Sequence, residues 1–341
     1  MGMRVAKNTA KYISQRWSRL TRCLRRSAIF LEHPLYRLVC HEASRLYEIW
    51  SQDSDAISQD LVHPLWLKVQ PVFGQLISDG VPIDFLQLPV VRRMFYRVGF
   101  SQPQQHELTY LRNTGEEVWN LLRQYRESSI GGPLIDCHEL NISTNSLGML
   151  YYFTRILEYN DWSEPGTVVE FGGGYGNLCR VFLDLLSGPL TYIIIDLPEM
   201  LALQYVYLRS SSRRYQIVAH TSSPIAIRSG CVNLVPVRWI EDLASTCDLF
   251  VSTFALSEAP TAVHDMIIRS RFLGANAIYL VGQHVDAKLW RDLALEPLQS
   301  AQCAATDLYS NVQLGPFHFA NSWELMAKDR KYETVNLNLQ T

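Results

Sequence analysis

The chain has 341 residues, 31 Lys and Arg against 33 Asp and Glu, a net charge of −2 and 48% hydrophobic residues, which excludes wholesale disorder and supplies ample core. The charge is uneven: residues 1–31 carry eight bases and no acid, leaving 23 bases against 33 acids in the remainder. Such a body lacks the basic surface that displaces counterions from phosphates, so nucleic acid is excluded as a partner.

Seven cysteines are scattered without a C-x-x-C pair, and an odd, dispersed set does not build a disulfide framework. A reducing, cytoplasmic location is expected. No apolar run approaches the roughly 18 residues that a membrane-crossing helix needs. The basic arm 1–31 has three readings: a solvated arm, a transit peptide, or a segment touching an anionic membrane surface or a protein partner.

From the arm to Pro165 the pattern is helical. "LYRLVCHEASRLYEIW" (35–50), "HELTYLRNTGEEVWNLLRQYRE" (106–127) and "NSLGMLYYFTRILEYN" (145–160) repeat apolar residues at spacings of three and four. "LWLKVQPVFGQLIS" (65–78) is apolar but interrupted by Pro71. Ser143, Thr144 and Asn145 supply N-cap chemistry to the helix that follows. Residues 1–165 thus read as a helical region of cap or oligomerisation helices, compatible with a homo-oligomer.

After Gly166 the texture changes. "TVVEF" (167–171), "TYIIID" (191–196), "VNLVPV" (232–237), "DLFVSTF" (248–254) and "AIYLVG" (277–282) are short apolar runs with helical stretches between most of them. Continuous runs of this kind are strands buried on both faces of a parallel sheet, and their alternation with helices predicts an α/β, doubly wound domain over 166–341. "AATDLYSNVQL" and "SWELMAKD" add candidate antiparallel edge strands.

The first run leads into "EFGGGYGNL", four glycines in five positions. A dinucleotide site wants G-x-G-x-x-G, its third glycine allowing close helix–strand packing. Here Gly172 and Gly174 fit, but Asn177 stands in the third position and Gly176 falls one residue early. Glu170, ahead of the glycines, would repel a pyrophosphate and suits a cofactor bearing an amino group and a sulfonium, S-adenosylmethionine. Asp196 closes the second run, where a carboxylate accepts hydrogen bonds from ribose hydroxyls; on its own it does not separate the two cofactors.

"EFGGGYGNL" followed by "YIIIDLPEMLALQYVYL" resembles the bacterial sugar O-methyltransferase family, class I S-adenosylmethionine-dependent enzymes. "STNSLGMLYYFTRI" upstream, and "VPVRWIEDL", "CDLFVSTFALSEAP" and "ANSWELMAKD" downstream, are similar to it in order and spacing. The resemblance runs from about residue 130 to 328 and is densest over 168–208. It implies a Rossmann-like, seven-stranded sheet with an antiparallel last strand. It also implies that Glu170, Gly172, Gly174, Tyr175 and Gly176 line the methionine moiety, that Asp196 and Leu197 hold the ribose and one adenine face, and that Trp239 and Ile240 flank the adenine.

Methyl transfer to oxygen needs alignment of donor and acceptor and removal of the hydroxyl proton. A base belongs at the carboxyl ends of the strands, where open α/β sheets bind ligands. Two residues satisfy this: Glu258, after the fourth run, and His284, after the fifth. His284 is the apter proton acceptor, and Glu258 instead caps the helix that follows it or hydrogen-bonds sugar hydroxyls. The expected acceptor is a small molecule or glycan, and no metal is expected, because the adjacent residues of "DCHE" (136–139) do not converge on one ion. The other readings are an O- or N-methyltransferase of a non-sugar small molecule and a non-catalytic nucleotide-binding or scaffold protein.

Overall fold

The computed structural model describes residues 27, 31, 33–52, 61–94, 99–100, 102–159, 166–212, 214–243, 246–283, 307–309 and 322–328. Most of the basic arm, and His284, lie outside the described residues. In chain order the strands are β1 (Thr167–Phe171), β2 (Thr191–Asp196), β3 (Ile217–Ala219), β4 (Val232–Pro236), β5 (Leu249–Thr253), β6 (Ala277–Gln283), β7 (Asp307–Tyr309) and β8 (Ser322–Lys328). They form one sheet in the order β3-β4-β2-β1-β5-β6-β8-β7. Pairing is parallel from β3 through β6, and β8 runs antiparallel to both β6 and β7. This is a Rossmann-like α/β fold with one antiparallel strand, β8. The three-residue β3 is an edge strand too short to show as an apolar run.

The strands read as continuous apolar runs because both faces are covered. Along β1 and β2, Val168, Tyr192 and Ile194 enter one core, while Val169, Phe171, Ile193 and Ile195 enter the other. The first core is shared with the helices before the sheet. Tyr36, Phe73, Phe85, Leu111, Tyr152 and Phe153 are buried in it beside sheet residues. Each fully buried side chain of this size stabilises the fold by roughly 1.5–3 kcal/mol before entropy is counted.

Helices α1 (Tyr36–Gln52), α2 (Pro64–Ser78), α3 (Pro89–Met94), α4 (Gln102–Arg112), α5 (Glu116–Leu122) and α6 (Thr144–Tyr159) precede the sheet. Helices α7 (Asn177–Leu185), α8 (Pro198–Ser211) and α9 (Thr261–Arg269) follow strands. Pro71 does not end α2, which runs through it; Phe73 and Ile77, both buried, hold the segment against the core, offsetting the lost backbone bond. The stretch 106–127 is not one helix, because Gly115 adopts φ 93° and caps α5 separately from α4. Helix α6 begins as its sequence suggests: Ser143 Oγ accepts from the Ser146 amide at 3.2 Å, and Asp136 accepts from the Thr144 amide at 2.6 Å. Helix α1 lies against α8, where Tyr205 donates to Glu42 at 2.8 Å. No described helix is long and apolar enough to cross a membrane.

Candidate functional site

Strand order turns back at β1, which has β2 on one side and β5 on the other. The crevice outside the carboxyl ends of such strands is where open α/β sheets bind ligands, and a cavity of about 630 Å³ opens there. That size falls within the ~300–1,000 Å³ usual for small-molecule sites. Gly172, Gly173 and Gly174 form its floor between β1 and α7. Gly172 has φ 77°, and a Cβ there would stand 1.9 Å from the Ala255 Cβ, so only glycine lets the turn pass under the end of β5. Gly174 has φ 57°, and an added Cβ meets nothing within 4 Å. One glycine is demanded by packing. The other leaves open space at a cavity wall, room that a ligand fits.

Three carboxylates line the cavity: Glu170 on β1, Asp196 at the end of β2, and Glu258 in the 3₁₀ turn Leu256–Glu258 after β5. Glu170 is buried and accepts from the Tyr192 hydroxyl at 2.9 Å. Burial pushes its carboxyl up to about 7, against the lowering effect of that bond. Burial likewise pushes Asp196 up to about 8, although the Leu197 amide and the Gln204 side chain both favour its ionised form. Those two donors reach separate oxygens, at 2.8 Å and 2.7 Å, leaving each oxygen a further lone pair. Burial thus favours the protonated form of both acids until a cation or donor joins them.

Behind the glycines stands a buried polar network. Asn177 donates to Ser146 at 3.0 Å and accepts from Tyr207 at 3.0 Å and Tyr125 at 3.2 Å. Arg180 donates to the Tyr125 hydroxyl at 2.9 Å and pairs with Asp184 at 3.2 Å. Glu127 accepts from the Ser143 amide at 2.8 Å and from Ser146 at 2.9 Å. A dinucleotide fingerprint needs glycine where Asn177 stands; here the side chain is built into the packing between α6, α7 and α8.

Among the residues singled out from the sequence, Glu170, Gly172, Gly174, Tyr175, Asp196, Leu197 and Glu258 line the cavity. Gly176, Trp239 and Ile240 do not line it. Gly176 is the left-handed N-cap of α7, packed 3.2 Å from Leu208 by its would-be Cβ. Ile240 is buried in the second core, and the guanidinium of Arg238 lies 4.5 Å over the Trp239 ring. Val237, two residues earlier, reaches the cavity instead. Tyr175 is largely buried, edge-on to Tyr207 at 4.8 Å, with Asn145 donating to its hydroxyl at 2.7 Å. His284 lies outside the described residues, one position beyond the end of β6.

The "DCHE" acids are engaged structurally: Asp136 caps α6 and accepts from the Gly99 amide at 2.9 Å, and Glu139 pairs with Arg112. Among the described residues no group of three His, Cys, Asp or Glu is placed to hold a metal ion. Sequence reading missed Gln204, which is fully buried and ties the Gly174 carbonyl (3.1 Å) to Asp196 (2.7 Å). It also missed His63, Arg92 and Arg93, which come to the cavity from the helical region. The one signal for Gln204 was its place two turns after Asp196, on the face that returns to the loop.

No family model matches the chain, and no curated protein matches it. Solved structures similar to it include "PigF with SAH", at 14% identity over 51% of this chain and 59% of that one, TM-score 0.31. The mitomycin 7-O-methyltransferase MmcR matches at 14% identity over 67% of each chain, TM-score 0.32. A SAM-dependent methyltransferase from Agrobacterium tumefaciens matches at 12% identity over 53% of this chain and 61% of that one, TM-score 0.35. The chain spans less than two thirds of the first and third of these, and likenesses this distant carry no inference about its activity.

Proposed function

We propose that the chain is an S-adenosylmethionine-dependent O-methyltransferase acting on a hydroxyl of a sugar or glycoside. One observation carries the reading: Glu170 and Asp196 stand on neighbouring strand ends beside a glycine turn, in the same cavity as Glu258. S-adenosylmethionine, when bound, supplies an electrophilic methyl group on a sulfonium. Glu170 suits the cationic methionyl end, since a carboxyl held near 7 by burial ionises when a cation arrives. Asp196 suits a ribose diol, having one lone pair left on each oxygen. Leu197 and Val237 offer the apolar faces for the adenine. Gly172, Gly173 and Gly174 let the backbone come close, and Tyr175 braces the turn from behind.

On the acceptor side Glu258 binds sugar hydroxyls, and His284, the next residue in sequence after β6, takes the proton of the reacting one. A single carboxylate after β5 is a poor divalent-metal set, so transfer survives exhaustive chelation. The helices before β1 close the acceptor side. The test is methyl transfer to a panel of glycosides and their aglycones, with single-turnover rates for His284→Ala and Glu258→Gln. Methylated glycosides, a roughly 10²-fold slower His284→Ala and weaker acceptor binding by Glu258→Gln are expected. Transfer to aglycones alone would overturn the sugar assignment.

A further inference from the structure

We propose that Arg92 and Arg93 form an anion subsite in this cavity, and that the acceptor sugar carries a phosphoryl group which they hold. The proposal rests on the methyltransferase reading for the identity of the other ligand, but not for the subsite itself. The cavity is electrically divided. Its acids, Glu170, Asp196 and Glu258, come from the strand ends, whereas its two arginines come from α3 in the helical region. Among the described residues Arg93 has no hydrogen-bond or ion-pair partner, and Arg92 meets only the neutral side-chain oxygen of Gln87. Two adjacent guanidiniums without a carboxylate repel one another, yet α3 is held in place through buried Val91.

Guanidinium groups bind phosphoryl oxygens through paired, charge-assisted hydrogen bonds. The strand ends offer such a group carboxyls and no guanidinium, so it settles against α3. Trp66, Met149 and Tyr152 line the same cavity and give a sugar ring apolar surface. A phosphoryl anchored on α3 thus turns the sugar toward the donor and Glu258. A neutral glycoside would leave both arginines unused.

The experiment is calorimetric titration of the full chain with inorganic pyrophosphate, with and without saturating S-adenosylhomocysteine, on the wild type, Arg92→Ala/Arg93→Ala and Arg92→Lys/Arg93→Lys. Pyrophosphate should bind the wild type, bind the alanine double variant at least about tenfold more weakly, and weaken as salt is raised. The lysine variant should fall between them, because it keeps the charge and loses the fork. Both arginines are exposed, so S-adenosylhomocysteine affinity should be unchanged in the variants. Equal pyrophosphate binding by the wild type and the alanine variant overturns the subsite. In competition, glucose 1-phosphate should displace pyrophosphate better than glucuronate or methyl glucoside; glucuronate competing equally overturns the phosphoryl assignment. Arginine-dependent pyrophosphate binding in a wild type that ignores S-adenosylhomocysteine upholds the subsite and refutes the methyltransferase reading alone.

Discussion

Gln204→Leu should separate cofactor affinity from stability. The Gln204 amide spans the site's two halves, donating to the Gly174 carbonyl at 3.1 Å and to Asp196 at 2.7 Å. Leucine removes both bonds, each worth about 1 kcal/mol net. It also removes the buried Gln204 Oε1, which has no hydrogen-bond partner and costs roughly 1–3 kcal/mol where it stands. The effects on folding nearly cancel, so stability should change by about 1 kcal/mol or less. For the ligand nothing cancels: the loop carbonyl and the carboxylate lose their common anchor, and about 1.5–3 kcal/mol of affinity corresponds to a roughly 10–100-fold rise in Kd. Since Gln204 lowers the Asp196 value that burial pushes to about 8, the variant's affinity should recover only at higher pH. Titration with S-adenosylhomocysteine across pH, beside thermal unfolding, reads both quantities. An unchanged affinity and pH profile would refute the reasoning, as would a loss of stability large enough to account for the loss of binding.

Glu170 and Asp196 also link the site to pH. Their folded values, about 7 and about 8, lie above the ordinary 4.5 and 3.8. Folding therefore favours the protonated forms, and this contribution is complete below the unfolded values and lost as pH rises toward about 8. Each displacement is worth a few kcal/mol, so thermal stability should fall across that window and fall less in Glu170→Gln; a flat profile counts against the burial argument. A cation beside Glu170 favours the ionised form, so S-adenosylhomocysteine binding should release protons and strengthen with pH, checked by titration in buffers of differing ionisation enthalpy. Gly172→Ala and Gly174→Ala should differ in kind. The first forces a Cβ to 1.9 Å from Ala255 at φ 77° and should cost roughly 2–5 kcal/mol of stability. The second, at φ 57° with nothing within 4 Å, should cost about 1 kcal/mol of stability but weaken cofactor binding. Equal thermal losses would show that the glycines share one role.

The parts legible in the sequence rest on local pattern. β1 and β2 have the limits of their apolar runs, because burial on both faces keeps them almost continuously apolar, with Glu170 the exception inside β1. The glycine turn is legible because φ 77° and φ 57° at Gly172 and Gly174 are conformations other residues avoid. What was hidden depends on partners distant in sequence. Gln204 is one more polar residue on a helix until Gly174 and Asp196 are seen beside it. Arg92 and Arg93 belong to no motif in the sequence, and only the fold brings α3 to the cavity. Trp239 and Ile240 lie outside the cavity lining, and an aromatic and an aliphatic side chain after a strand suit an adenine wall as well as a core. Pro71 shows tertiary packing overriding a local breaker.

The central claim is the identity of the cofactor, and equilibrium titration of the wild-type chain with S-adenosylmethionine, S-adenosylhomocysteine and NAD tests it most directly. The acids at positions 170 and 196, together with the side chain at Asn177 where a dinucleotide site needs glycine, predict saturable binding of the first two and none of NAD. Binding of NAD without S-adenosylmethionine would contradict the account.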